Sequence, residues 1–158
     1  MSKEQTFLMK PKVDFCFKEL MEDAEVRRGF ISALLDVKPE DIKTTMLLPT
    51  HLRKEHEEDK QGILDFLLFE ADEEYYSRFH LWEDTRRRMY SDKLEIHILE
   101  LPKLAERQYP QTELLKWASF FQAEKKEEFE MAAEGSSYIE RAYERLTEIS
   151  ADDLKRLE

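Results

Sequence analysis

Gly62-Ile63-Leu64-Asp65-Phe66-Leu67-Leu68-Phe69 is apolar at every position from Ile63 to Phe69 except Asp65. A short apolar run without helical spacing predicts a strand covered on both faces. Upstream, residues 42–48 are rich in Thr and aliphatic side chains and stop at Pro49, which predicts another strand. Downstream, residues 76–83 and 94–101 have the composition of two strands of a hairpin. Their connection, residues 84–92, is longer than a tight turn and strongly basic. Residues 50–60 are dense in charge with no periodic apolar face and are expected to form a loop.

Helices are expected on either side of these strands. Val13, Phe17, Leu20 and Met21 recur at helical spacing after Pro11, and Asp14 and Lys18 stand four apart on the same helix. Asp23 is a candidate N-cap for a second helix with the stripe Val26, Phe30, Ala33, Leu34 and Val37, ending near Pro39. Beyond Pro110 and Thr112 a helix carries Leu114, Trp117, Ala118 and Phe121 on one face, with helical propensity continuing to Glu134 and Gly135 as its stop. Ser137 and Glu140 have capping-box spacing for a helix bearing Ile139, Ala142, Tyr143 and Leu146. Ser150 and Asp153 suggest one more start, so the sequence is expected to end inside a helix. The fold class expected is α+β: N-terminal helices, a small mixed sheet and a C-terminal helical region. The expected division is a domain over residues 1–109 and a helical region over residues 110–158 that packs on it or extends from it.

Composition narrows the function. The chain has 158 residues, enough for one core of ordinary size. Three glycines and five prolines exclude collagen and flexible linkers. No apolar run reaches the roughly 20 residues that span a bilayer, and no secretory signal is visible, so no membrane partner is expected. One cysteine rules out an internal disulfide and suits a reducing compartment, so the expected location is cytoplasmic. The net charge is −11, and no third of the sequence is basic, so no broad surface attracts nucleic acid.

Several side chains are candidates for chemistry. A carboxylate inside an apolar strand is costly unless paired, hydrogen-bonded or metal-bound. Asp65 is therefore either a metal ligand at a strand end or a carboxylate at a wet sheet edge. The nearby acids Glu70, Asp72, Glu73 and Glu74 read as a solvated turn. Glu95 and His97 alternate along a strand and share one face, as a ligand pair or as a polar outer face. His51 and His56 are five apart with no cysteine beside them, which is poor zinc spacing. Arg86, Arg87 and Arg88, with Tyr90 and Lys93, form one basic cluster that could grip phosphates or simply balance nearby acids. Cys16, between Phe15 and Phe17, reads as a packed small hydrophobe.

The stretch Met9-Lys10-Pro11-Lys12-Val13-Asp14-Phe15-Cys16-Phe17-Lys18 resembles the entry of the Rpn family of recombination-promoting nucleases and transposases, within the PD-(D/E)xK nuclease superfamily. Leu47-Leu48-Pro49-Thr50, Gly62-Ile63-Leu64-Asp65, Tyr75 to Glu83, Lys93 to Pro102 and the helices after Pro110 are similar to that family too. The resemblance implies Mg²⁺-dependent DNA cleavage linked to recombination and mobile elements, with DNA as partner. It matches Asp65 to the family's catalytic, metal-binding aspartate. Asp14 is a second candidate, because some superfamily members place an acid on the first helix. Arg86, Arg87 and Arg88 are the candidate DNA contacts.

Family members follow the aspartate with a strand bearing Glu-x-Gln or Glu-x-Lys. Here Asp65 runs directly into Phe66-Leu67-Leu68-Phe69-Glu70, a string that relatives carry after a later strand. The resemblance therefore implies an internally shortened, catalytically incomplete member. The alternative function is a non-enzymatic interaction module, pairing through its helical C-terminal region with itself or with a full-length relative.

Overall fold

The computed structural model describes residues 7–47 and 73–157. Among them the architecture is α+β, as expected. Helices α1 (Asp14–Glu22) and α2 (Ala24–Leu35) lead, followed by a 3-10 turn at Pro39–Asp41. Strands β1 (Tyr76–His80), β2 (Trp82–Glu83), β3 (Arg88–Met89) and β4 (Glu95–Leu99) come next, then a 3-10 turn at Leu101–Ala105. Helices α3 (Glu113–Gln122), α4 (Lys126–Ala133) and α5 (Ser137–Leu157) finish the chain. The expected strand at 63–69 and loop at 50–60 lie outside the described residues, as do Asp65, His51, His56, Glu70 and Asp72.

Local chemistry sets the helix ends. Asp23 caps α2, its Oδ1 accepting from the Glu25 and Val26 amides at 3.0 and 3.1 Å. Burial works against an ionised Asp23, but the Val26 amide, Arg141 and the Glu25 amide outweigh it and hold the carboxyl below its usual range. Thr112 caps α3 by accepting from the Leu115 amide at 3.1 Å. Lys18 and Asp14 pair at 2.7 Å on α1 as the spacing predicts.

Four local expectations are corrected. Residues 42–47 join no ladder among the described strands. Thr and aliphatic content favours an extended backbone, but a strand exists only with a hydrogen-bonded neighbour. Helical structure is not continuous from 113 to 134. The Glu128 carboxylate accepts from the Glu124 and Lys125 amides at 2.8 and 3.2 Å, starting α4 afresh after α3. The N-cap position of α5 is Ser136 rather than Ser137, since the first helical bond runs from the Glu140 amide to the Ser136 carbonyl at 2.9 Å. Gly135, with φ of 74°, supplies the left-handed turn before it. Ser150 starts no new helix. It is buried within α5, donating to the Leu146 carbonyl at 2.7 Å and accepting from the Met9 amide at 2.9 Å.

The core is aromatic and drawn from both ends of the sequence. Phe30 of α2 meets Trp117 and Phe121 of α3 at ring separations of 5.5 and 5.0 Å. Phe120 meets Phe129 at 5.4 Å, and Phe129 stacks on Tyr143 at 5.9 Å. Ile139, Ala142 and Leu146 of α5 are fully buried against them. Truncating a side chain such as Trp117 or Phe120 to alanine removes roughly 3–5 kcal/mol. Cys16 is fully buried in this cluster, and burial, then Glu19, pushes its thiol up to about 11. That is packing, not nucleophilic chemistry.

The strands form an antiparallel hairpin. β1 pairs with β4 in the register Tyr76↔Leu99, Arg78↔His97 and His80↔Glu95. The expected hairpin is therefore present, and its long connection holds a second small ladder, Trp82↔Met89 and Glu83↔Arg88.

The crossing of α2 and α5 is tight. A methyl group built on Gly29 would overlap the Tyr138 Cβ, which belongs to a side-chain base that cannot swing aside. Gly29→Ala gains about 1 kcal/mol of helix propensity but incurs roughly 1–3 kcal/mol of overpacking. The expected result is a net loss of about 1 kcal/mol, read as a lower urea midpoint. An unchanged or raised midpoint would show that the crossing has slack.

Candidate functional site

Two-residue alternation puts Tyr76, Arg78 and His80 of β1 on one face of the hairpin, together with Glu95 and His97 of β4. Glu95 is the centre of this face. Its Oε1 accepts from Arg78 and from His80 Nε2 at 3.0 Å, and its Oε2 accepts from His97 Nε2 at 3.0 Å. Since a carboxylate only accepts, a neutral His97 carries its proton on Nε2 and offers Nδ1 as acceptor to the Tyr76 hydroxyl at 2.9 Å. The same hydroxyl lies 3.1 Å from the Leu34 carbonyl, so its single proton is shared between two acceptors, one of them on α2. The Arg78 hydrogen bond, helped by the two histidines, holds the Glu95 carboxyl at about 2. The spacing of Glu95 and His97 correctly places them on one face. The partners on β1 depended on a register that no local signal defines.

A second cluster fixes the chain where the described residues resume at 73. Lys103 and Glu100 are only 7% and 5% exposed, and pair at 3.0 Å. Lys103 Nζ also donates to the Glu74 carbonyl at 3.2 Å. The Tyr109 hydroxyl reaches the Glu73 carbonyl at 2.6 Å, and Arg107 bridges the Glu73 and Glu74 carboxylates at 2.9 and 2.7 Å. Glu73 and Glu74 are exposed, as expected of a solvated turn, and are also anchored through side chain and backbone.

The basic cluster sits at the far end of the hairpin. Residues 84–87 turn between β2 and β3, closed by a bond from the Arg87 amide to the Glu83 carbonyl at 3.0 Å. Arg87 has a left-handed φ of 55°. Glu83 accepts from the Thr85 and Arg86 amides at 3.3 and 2.7 Å, and its carboxylate is 3.6 Å from the Arg86 side chain. Arg87 and Arg88 make no ion pair among the described residues. A cleft of about 810 Å³ between α2, α3 and α5 has Asp36, Glu74 and Glu113 on its lining and is the wrong charge for phosphates.

These described residues do not fit a catalytic metal. No group of three His, Cys, Asp or Glu side chains among them could hold an ion. In the Glu95 cluster, His80 and His97 present N–H groups to the carboxylate rather than lone pairs to a cation, and Arg78 already supplies the positive charge. Asp14 is highly exposed on α1 and paired with Lys18, and it belongs to no group of three possible ligands among the described residues. Asp65 lies outside the described residues.

Comparison with known proteins gives one match. A family model described as PD-(D/E)XK nuclease family transposase matches residues 67–158, more than half of the chain. The chain belongs to this family. Neither a curated protein nor a solved structure matches it. Nucleases of the family generally use a divalent metal. The family match covers the whole hairpin, the Glu95 cluster and helices α3 to α5. Among the described residues no helix is long and apolar enough to cross a membrane.

The depressed Glu95 carboxyl has a consequence for pH. Its folded value lies below that of an unfolded glutamate, near 4.3. Its stabilisation is therefore complete above the unfolded value and is lost as pH falls through about 2. Melting temperatures of the native chain and Glu95→Gln are expected to differ most at neutral pH and to converge between roughly pH 4.3 and the folded value. A difference that stays constant down to pH 2 would remove the ion-pair explanation.

Proposed function

We propose that this chain acts on DNA as a member of the transposase family, a metal-dependent DNA endonuclease by descent whose hydrolytic centre is incomplete. The observation that carries the reading is the family match, which begins two residues beyond Asp65. At that point the sequence passes straight into Phe66-Leu67-Leu68-Phe69-Glu70, with no Glu-x-Gln or Glu-x-Lys strand. Asp65 is the proposed metal ligand and Mg²⁺ the proposed ion, by resemblance. Asp14 remains a second candidate, engaged by Lys18. One carboxylate cannot hold both a metal and an attacking water in line, so no hydrolytic step is assigned. Arg86, Arg87 and Arg88 are the proposed DNA contacts. Purified protein is expected to leave supercoiled plasmid intact with Mg²⁺ or Mn²⁺. Nicking that disappears in Asp65→Ala would show a working centre and overturn the incomplete-site reading.

A second reading, pairing with itself or with a full-length relative, has one observation in its favour. The apolar side of α5 is used inside the core, but the reverse face of the hairpin carries Ile96, which is 42% exposed. Such a face is a candidate association surface. Sedimentation velocity is the measurement: a dimer dissociated by Ile96→Glu supports pairing. A monomer at every concentration removes self-pairing.

A further inference from the structure

The ribbon formed by β2 and β3 exposes aromatic surface as well as charge. Trp82 is 52% exposed and Tyr90 79% exposed, and neither makes a ring contact among the described residues. The register puts Trp82 and Met89 on one side of the ribbon. The bond from the Tyr90 amide to the Leu81 carbonyl at 2.8 Å extends that register and puts Tyr90 on the other side, with Arg88. Each side of the ribbon thus offers one aromatic ring, and the turn between them offers Arg86 and Arg87.

We propose that this ribbon binds unpaired bases of DNA, with Trp82 and Tyr90 as stacking platforms and Arg87 and Arg88 on the adjoining phosphates. The proposal rests on the DNA reading above and names the form of DNA. Two observations favour single strands over intact duplex. The faces of bases are hidden inside a duplex and available in a single strand, where stacking on an aromatic side chain contributes substantially to binding. The electrostatics are also too weak for a duplex-binding surface. The chain carries −11, and Glu83 neutralises Arg86, which leaves two arginines at the ribbon without an ion pair among the described residues. Affinity must then come mainly from stacking. The turn is suited to this, because the Glu83 side chain and carbonyl fasten the Thr85, Arg86 and Arg87 amides and hold the tip in one shape before binding.

Trp82 also provides the readout. The other tryptophan, Trp117, is 1% exposed in the core, so quenching by an added oligonucleotide reports on Trp82. The full chain is titrated at low salt with a thymine 20-mer and with a duplex of equal length, following tryptophan emission and the anisotropy of labelled DNA. The expected result is quenching by the single strand and its preference over duplex. Trp82→Ala and Tyr90→Ala are each expected to lower single-strand affinity about 10-fold. Replacing Arg87 and Arg88 with alanine flattens the log–log salt slope by about 1.4, the value for two phosphates on a single strand. Tyr90→Ala is the safeguard should Trp82→Ala loosen the ribbon, and melting curves verify folding of each variant. Duplex binding that equals or exceeds single-strand binding and is indifferent to both aromatic substitutions overturns this inference while leaving the DNA reading intact. Binding to neither form overturns both.

Discussion

Gly29 has no side chain at the point where α2 crosses α5, and the Tyr138 Cβ occupies the space where one would be. That contact brings together two helices more than a hundred residues apart in sequence. Phe30, the next residue, is then held against Trp117 and Phe121, and the aromatic core closes around it. Further ties run between the same ends of the chain. Arg141 of α5 pairs with Asp23, the cap of α2, at 2.9 Å. Lys10 and Lys12 meet Glu124 between α3 and α4, at 2.9 and 3.0 Å. The exposed pairs among these contribute little energy individually. Their role is to fix the direction of helices that apolar burial has already gathered.

The hairpin depends on that helical platform. Its attachment through Tyr76 to the Leu34 carbonyl is polar, and the same hydroxyl leads into the His97–Glu95–Arg78 cluster. The cluster resembles a metal site in its residue types and differs in where the protons lie. A carboxylate that already accepts from a guanidinium and two imidazoles has its charge balanced without a metal ion. Its consequence is a fixed strand register, which sets the direction of the ribbon at the hairpin's far end. Lys103, Tyr109 and Arg107 fix the other end, holding residues 73 and 74 through two carbonyls and two carboxylates.

Charge distribution connects this framework to function. An acidic chain cannot bind nucleic acid over a wide surface, so any contact must be local. The ribbon concentrates cations at the end of a projecting element, away from the acidic cleft between the helices. Family membership supplies the reason to consider DNA at all, and the match covers the ribbon and its supports.

The sequence by itself determined the elements with local causes: the helical thirds, the Asp23 cap, the Gly135 turn, the apolar faces of α3 and α5, and the hairpin with its basic tip. Each follows from side chains within a few residues of one another. The family was legible for the same reason, as strings of consecutive residues. The continuation of α3 and the helix start at Ser150 were not legible because distant or competing partners decided them. Glu128 turned its carboxylate on two preceding amides, and Ser150 found the Met9 amide across the fold. The Glu95 cluster was half legible: alternation placed Glu95 with His97, but Arg78, His80 and Tyr76 joined only once β1 and β4 had paired. Exposure of Trp82 and Tyr90 was likewise tertiary, because an aromatic residue in a strand has the same sequence signature whether the sheet covers it or leaves it in water.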